Sequence, residues 1–248
     1  MDRNVFSGLK SLFRFPFQGP DWANRFILGC ALLFAGWVLP IVPVIFVYGY
    51  AVEVMRRVIR GEEPGMPPWQ DWGQLFVDGL RACAVGLVYL LPGTVIWLGG
   101  FALYFVGSFG LVLLAEYQRP GMFFMAFLVL LGVFLLSLFI GSLLFFLGLI
   151  PLPAAMAHFV AEDRLGAAFQ VRRWWAVLRE RRWEYGIAWL LLFGLAGIVY
   201  FALVLLYYSA CLCWLVPILT APVAFYTTLV AAALFGQVWR EYEIRSTE

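Results

Sequence analysis

The sequence predicts an all-α polytopic membrane bundle of about six membrane segments, with amphipathic helices lying at the interface. Three observations predict it. Hydrophobic residues make up 64% of the 248-residue chain and charged residues 13%, against about 45–50% and about 25% in soluble domains. Four long stretches, 26–52, 82–115, 120–161 and 185–239, lack Asp, Glu, Lys and Arg. All but one of the 17 basic residues fall into four clusters between these stretches, at 3–25, 56–81, 164–182 and 240–245; Arg119 is the exception. Positive charge beside a span stays on the cytoplasmic side. The clusters therefore predict one shared side, with both termini cytoplasmic. No cleavable signal peptide is expected, because charges persist to Arg25 and no small-residue cleavage site follows a short apolar core.

The elements follow in chain order. Residues 4–14 read as a short amphipathic helix in an N-terminal segment, 1–20. Val5, Leu9, Leu12 and Phe13 share its apolar face, with Lys10 and Arg14 outside it. Pro16, Gly19 and Pro20 end it, and Asp21 is placed to cap the next helix at Trp22. Residues 26–52 allow two readings. One span would put the first two basic clusters on opposite sides. Two short helices, 22–39 and 44–60, turning at Pro40-Ile41-Val42-Pro43, put both inside, because proline interrupts a helix at its own position and restricts the residue before it. The hairpin is preferred. Its drawback is length, since 26–39 reaches only about 21 Å at about 1.5 Å per residue and must be re-entrant or thin the bilayer.

Next comes a surface helix over 69–80. Trp69, Trp72 and Phe76 are spaced to lie in the interface, with Gln70, Asp71, Gln74 and Asp78 largely facing water. A long span over 82–115 follows, kinked at Pro92-Gly93 and softened at Gly99-Gly100. Gly99, Gly100, Gly107 and Gly110 permit close helix packing. A span near 121–150 ends at Pro151 and Pro153 and continues as a helix to Glu162. A third surface helix spans 165–183, with Ala168, Val171, Trp175 and Leu178 on one face and arginines beside it. The last stretch holds spans near 185–208 and 213–238, turning at Tyr207-Tyr208-Ser209. Tryptophans support the layout by forming two belts. Trp22, Trp69, Trp72, Trp174, Trp175, Trp183 and Trp239 lie at the inner edge, and Trp37, Trp97 and Trp214 at the outer. The whole of 1–248 reads as one membrane domain. Parallel repeats at about 22–115 and 121–240 are suggested by the proline pairs and the acid–arginine sequences that follow them.

From Asp21-Trp22 through Gly49-Tyr50-Ala51-Val52-Glu53-Val54-Met55-Arg56-Arg57-Val58-Ile59-Arg60-Gly61 and Pro68-Trp69-Gln70-Asp71-Trp72 to Gly79-Leu80, the chain resembles the prokaryotic membrane family catalogued as domain of unknown function 4013. Pro153…His158-Phe159-Val160-Ala161-Glu162…Ala168-Phe169 and Phe235-Gly236-Gln237-Val238-Trp239-Arg240 resemble it too. Pro67-Pro68 departs from the single Leu-Pro-like pair expected there, and 99–150 shows no correspondence. The resemblance implies a bacterial or archaeal cell membrane, and no activity, cofactor or catalytic residue.

Several groups invite a functional reading. Glu53 with Arg56 and Arg57 forms i, i+3 and i, i+4 pairs. These are either a solvated ending of the span capped by Gly61, or a gate or headgroup clamp if Glu53 is buried. The segment 62–68 is a stiff turn leading into the Trp69 helix, or a partner-docking loop, and residues 61–68 are expected to be cytoplasmic. Arg60, Trp69, Trp72, Arg172, Arg173, Trp174, Trp175 and Arg179 are candidate contacts for anionic headgroups or a membrane partner, and the arginines serve topology equally well. His158 stands i, i+4 from Glu162, which suits a relay or, more simply, a structural histidine. Cys211 and Cys213 are too close for a relaxed disulfide, and with one histidine in the chain a zinc site is not expected. No nucleotide loop, HExxH, GxSxG or intramembrane carboxylate pair is present, and no cofactor is expected. The net charge of +2 gives no basis for binding nucleic acid. The expectation is a non-enzymatic accessory or lipid-organising membrane protein that contacts anionic lipids and a membrane partner or a second copy of itself. The alternative is a transporter or lipid or small-solute carrier.

Overall fold

The computed structural model describes residues 12–19, 21–62, 65–113, 120–209 and 215–247. Its α-helices are α1 (Trp22–Ala35), α2 (Val42–Ile59), α3 (Trp72–Leu113), α4 (Pro120–Leu149), α5 (Leu152–Glu162), α6 (Val171–Glu180), α7 (Arg182–Tyr208) and α8 (Val216–Thr247). Short 3₁₀ helices cover Phe15–Phe17 and Leu165–Phe169. Four helical stretches, Trp72–Leu113, Gly121–Glu162, Arg182–Tyr208 and Val216–Arg245, are long and apolar enough to cross a membrane. The N-terminal helix read over 4–14 falls mostly outside the described residues, as do Arg119, Cys211, Cys213 and Trp214.

The chain divides into two compact units. The first comprises the residues up to Val85 and those from Pro153 onward. At its centre α2 runs alongside α8 in the same direction. Tyr50 meets Phe225, Met55 and Val58 flank Gly236, and Gly61 lies against the Arg240 guanidinium. Tyr50, Val52, Phe225, Leu229 and Ala233 are wholly buried or nearly so. Helix α1 packs on the same pair, with Gly29 against the Phe225 ring, where a Cβ would fall 2.2 Å from Cζ.

Residues 26–52 do break into two helices. The chain turns through 36–41, and α2 starts with Pro43 in its first turn, where the missing N–H is not needed. At the other end of α2, Gly61 adopts φ 83°. There the Glu62 N–H bonds the Arg57 carbonyl and the Gly61 N–H bonds that of Val58, a Schellman ending that needs a residue tolerant of left-handed backbone. Asp21 does precede α1, but its side chain caps nothing. Its backbone carbonyl instead accepts the Arg25 N–H at 3.1 Å.

Two expected elements are one. The surface helix of 69–80 and the following span form the continuous 42-residue α3, helical through Pro92 and Gly99-Gly100. Only residues from Trp72 onward are helical, because the loop before them is held elsewhere. Helix α6 buries Trp174 and Val177 and leaves Val171 and Trp175 exposed; Val171, Trp175 and Leu178 share one of its faces, while Ala168 lies in the 3₁₀ turn before it. Gln170 breaks the chain between the 3₁₀ turn and α6. That break resets the helical phase, so Ala168 and Val171 no longer share a face.

The second unit, 86–152, is built from the later part of α3 and from α4. These run antiparallel in very close contact. A Cβ at Gly93 would lie 2.6 Å from the Phe145 backbone nitrogen, one at Gly100 2.2 Å from Ser137 Cβ, and one at Gly148 2.1 Å from the Tyr89 carbonyl. Gly107 faces Leu130. Without a hydrophobic drive between helices in lipid, such small residues let backbones approach and gain dispersion contact. Gly99 and Gly110 meet nothing and are not part of this seam.

Candidate functional site

The chemistry-bearing groups of the first unit converge where α2 crosses the start of α3. Two glycines make the crossing. A Cβ at Gly49 would lie 1.8 Å from the Leu75 carbonyl oxygen, and one at Gly79 1.9 Å from that of Ile45. Backbone touches backbone, and the polar side chains one turn away are forced together.

Arg56 is the hub. Its Nη1 donates to Glu53 Oε2 at 2.8 Å and its Nη2 to Asp78 Oδ2 at 2.8 Å. The Asp78 side chain is only 1% exposed. Its other oxygen accepts from Gln74 Nε2 at 3.2 Å and lies 3.7 Å from Arg81 Nη1. Asp163, just past α5, completes the group at 3.5 Å from Arg56 and 3.9 Å from Arg81. Asp163 reaches this position with φ 49°, a left-handed conformation that Asp tolerates better than most residues. Arg57 Nε donates to Glu53 Oε1 at 3.1 Å. Burial works against the Arg56 charge, and the hydrogen bonds to Asp78 and Glu53 offset that cost.

The loop before α3 is fastened over this joint. Tyr50 Oη donates to the Pro67 carbonyl at 2.7 Å, Trp69 Nε1 to the Arg25 carbonyl at 2.9 Å, and the Arg25 guanidinium to the Met66 carbonyl. The Trp69 ring stacks on Tyr50 with centroids 4.0 Å apart. Between loop and joint lies a cavity of about 150 Å³ with Glu53, Arg57, Gln70, Asp71, Gln74 and Asp78 in its wall.

Of the sequence candidates, Glu53, Arg56, Arg57 and Trp69 come together here. Trp72 stands beside Trp69 at 5.6 Å and is 41% exposed, while Arg60 is exposed at the end of α2. Trp69 is half-buried, stacked on Tyr50 and bonded to the Arg25 carbonyl. Asp78, expected to face water, is among the most buried side chains. Its helical phase was read correctly, but that face meets Arg56. His158 does not pair with Glu162, which binds Arg164. It is buried, stacks on Trp239 at 4.9 Å and lies 3.4 Å from Gln170 Oε1. Trp174 and Trp239 are 6% exposed and pack in the bundle. Arg172, Arg173, Trp175 and Arg179 are exposed on α6.

Sequence reasoning missed Asp78, Arg81, Asp163, Tyr50 and Arg25. It also missed Arg181, 7% exposed, whose Nη2 donates to the Glu241 carbonyl at 2.8 Å and whose Nη1 donates to Glu184 Oε1 at 3.1 Å. For Asp78 a signal existed, since Gly79 inside a helical pattern marks a close backbone approach. Among the described residues no three His, Cys, Asp or Glu side chains are arranged to hold a metal ion. The carboxylates of the joint are each ion-paired to arginine, so the arrangement can lock helices and can admit a small polar ligand to the cavity.

The model of the family described as "Protein of unknown function (DUF4013)" matches residues 32–208. The chain belongs to this family. The DUF4013 match covers both sides of the joint, from Glu53 and Arg56 through Asp78 to Asp163, together with α6. It includes the motifs at 49–61, 68–80 and 153–169 and runs through 99–150, where the motif comparison found no correspondence. The Asp21-Trp22 and 235–240 motifs lie outside the DUF4013 match. No curated protein and no solved structure matches the chain.

Proposed function

We propose that this chain is a non-enzymatic membrane protein of the prokaryotic cell membrane that supports a membrane complex or organises lipid. The reading takes both termini as cytoplasmic and about six membrane segments, with the α1–α2 hairpin supplying two. The observation that carries it is that the joint closes on itself. Glu53, Asp78 and Asp163 are each tied to arginine, so their charges are spent on holding α2, α3 and the end of α5 in place. A buried pair of this kind favours one defined arrangement more than it adds stability. Parallel repeats belong to the same reading. In support, α2 and α5 each begin within a proline pair, Pro40/Pro43 and Pro151/Pro153, and each is followed within two residues by left-handed backbone, at Gly61 and Asp163.

The test is gentle purification from native membranes, followed by mass spectrometry of whatever co-purifies. A stoichiometric membrane-protein partner, or a second copy of the chain, is the expected result. Solitary protein with a specific small molecule bound sinks the accessory reading and favours a carrier. The cavity beside Glu53, Arg57 and Asp78 is the observation behind that second reading.

A further inference from the structure

The structure sorts the arginines into two kinds. Arg56, Arg57, Arg81, Arg164 and Arg181 are all ion-paired. Arg172 and Arg179, on α6, are exposed and form no ion pair among the described residues. With Trp175, which is 58% exposed, they stand at i, i+3 and i+7 and so share one face. The opposite face, Trp174 and Val177, is buried in the bundle. The nearby acids are already engaged: Glu162 with Arg164, and Glu184 and Glu241 with Arg181. Glu180 also lies on α6, about 80° round the helix from Arg172 at about 100° per residue, and acts on Tyr242.

Position adds a second argument. One residue, Arg181, separates α6 from α7, which is long and apolar enough to cross a membrane. Arg181 is buried and bonded to the Glu241 carbonyl of α8, so α6 is held at the end of that helix. Trp183, the second residue of α7, is 74% exposed. Exposed indoles at such a level prefer the headgroup region. Arginine offers a planar fork matched to phosphate oxygens.

We propose that the outward stripe Arg172, Trp175 and Arg179 of α6 docks on the phosphate headgroups of an anionic bilayer leaflet. The proposal rests on the preceding reading only for its orientation, which sets α6 on the cytoplasmic side. The test uses the full chain in nanodiscs of mixed phosphatidylcholine and phosphatidylglycerol. The lipid retained after transfer to mild detergent is quantified by mass spectrometry. Wild type is expected to retain phosphatidylglycerol in preference, and added salt to weaken the preference. The double variant Arg172→Gln/Arg179→Gln is expected to lower the enrichment at least about fivefold, the effect of one arginine at an anionic leaflet. Arg164→Gln, at an exposed arginine already paired with Glu162, is expected to leave it unchanged. Wild type without preference for phosphatidylglycerol, or a double variant that keeps the preference, overturns the proposal. An acidic protein partner bound at this face without lipid preference also overturns it, yet leaves the accessory reading standing. Conversely, lipid preference lost with Arg172 and Arg179 upholds the docking surface even where no protein partner co-purifies.

Discussion

The Arg56 guanidinium reaches Asp78 at 2.8 Å across the α2–α3 crossing, and the Asp78 side chain is 1% exposed. Removing Asp78 takes the most buried partner from Arg56 and leaves its charge to Glu53 and Asp163. Asp78→Ala is expected to destabilise the protein by about 1.5–3 kcal/mol, the loss of a charged hydrogen bond. Replacing both, as Arg56→Met/Asp78→Leu, is expected to recover most of that loss. Thermal unfolding in one detergent, followed by light scattering or circular dichroism, checks both. A double variant as unstable as Asp78→Ala would contradict the pairwise account.

Glycine substitutions separate seam from surface. Gly49→Ala and Gly79→Ala drive a methyl group into the facing carbonyls and are expected to cost at least about 1–3 kcal/mol. Gly99→Ala meets nothing within 4 Å. It is expected to be neutral or to gain up to about 1 kcal/mol from reduced chain entropy. The comparison is a set of melting temperatures under identical conditions.

The loop fastening predicts protease sensitivity. Tyr50→Phe removes the hydroxyl that bonds the Pro67 carbonyl and is expected to cost about 1 kcal/mol. Trp69→Ala removes the ring stacked on Tyr50 and the donor to Arg25. Cleavage within 61–71 is therefore expected to accelerate in both, more in Trp69→Ala. Equal rates in wild type and variants would show that the fastening does not restrain the loop.

Topology can be read at Gly65. The basic clusters on either side predict that residues 61–68 face the cytoplasm. Gly65→Cys in a cysteine-free background should resist an impermeant thiol reagent in intact cells and react after permeabilisation. Ready labelling from outside refutes the shared side of the clusters.

Much of the secondary structure was legible because its causes are local. Charge-free length marked the long helices, Pro40 and Pro43 marked the break before α2, and Gly61 marked its end. The continuity of α3 was harder to see. Helix propensity does not stop at a membrane surface, and α3 stays helical through Pro92. The site was half legible. Glu53, Arg56 and Arg57 share a helix, so spacing alone grouped them. Asp78 and Asp163 lie on other elements, and whether a polar face meets water or an arginine is decided by packing that periodicity does not encode. Ala168 drops out of the α6 face for a related reason, since the break at Gln170 sets where its helical count begins.

The glycine seam between α3 and α4 has a consequence for how this chain can vary in length. Gly93, Gly100 and Gly107 stand seven residues apart, as do Gly141 and Gly148 on the facing helix, and the pairs Tyr89/Gly148, Gly100/Ser137 and Gly107/Leu130 keep one antiparallel register. An inserted residue turns everything beyond it by about 100° and swings the small residues out of contact. A seven-residue insertion turns the helix by only about 20° short of two full turns and restores them. Members of the family that are longer or shorter here should therefore differ by whole heptads, taken from both helices at once.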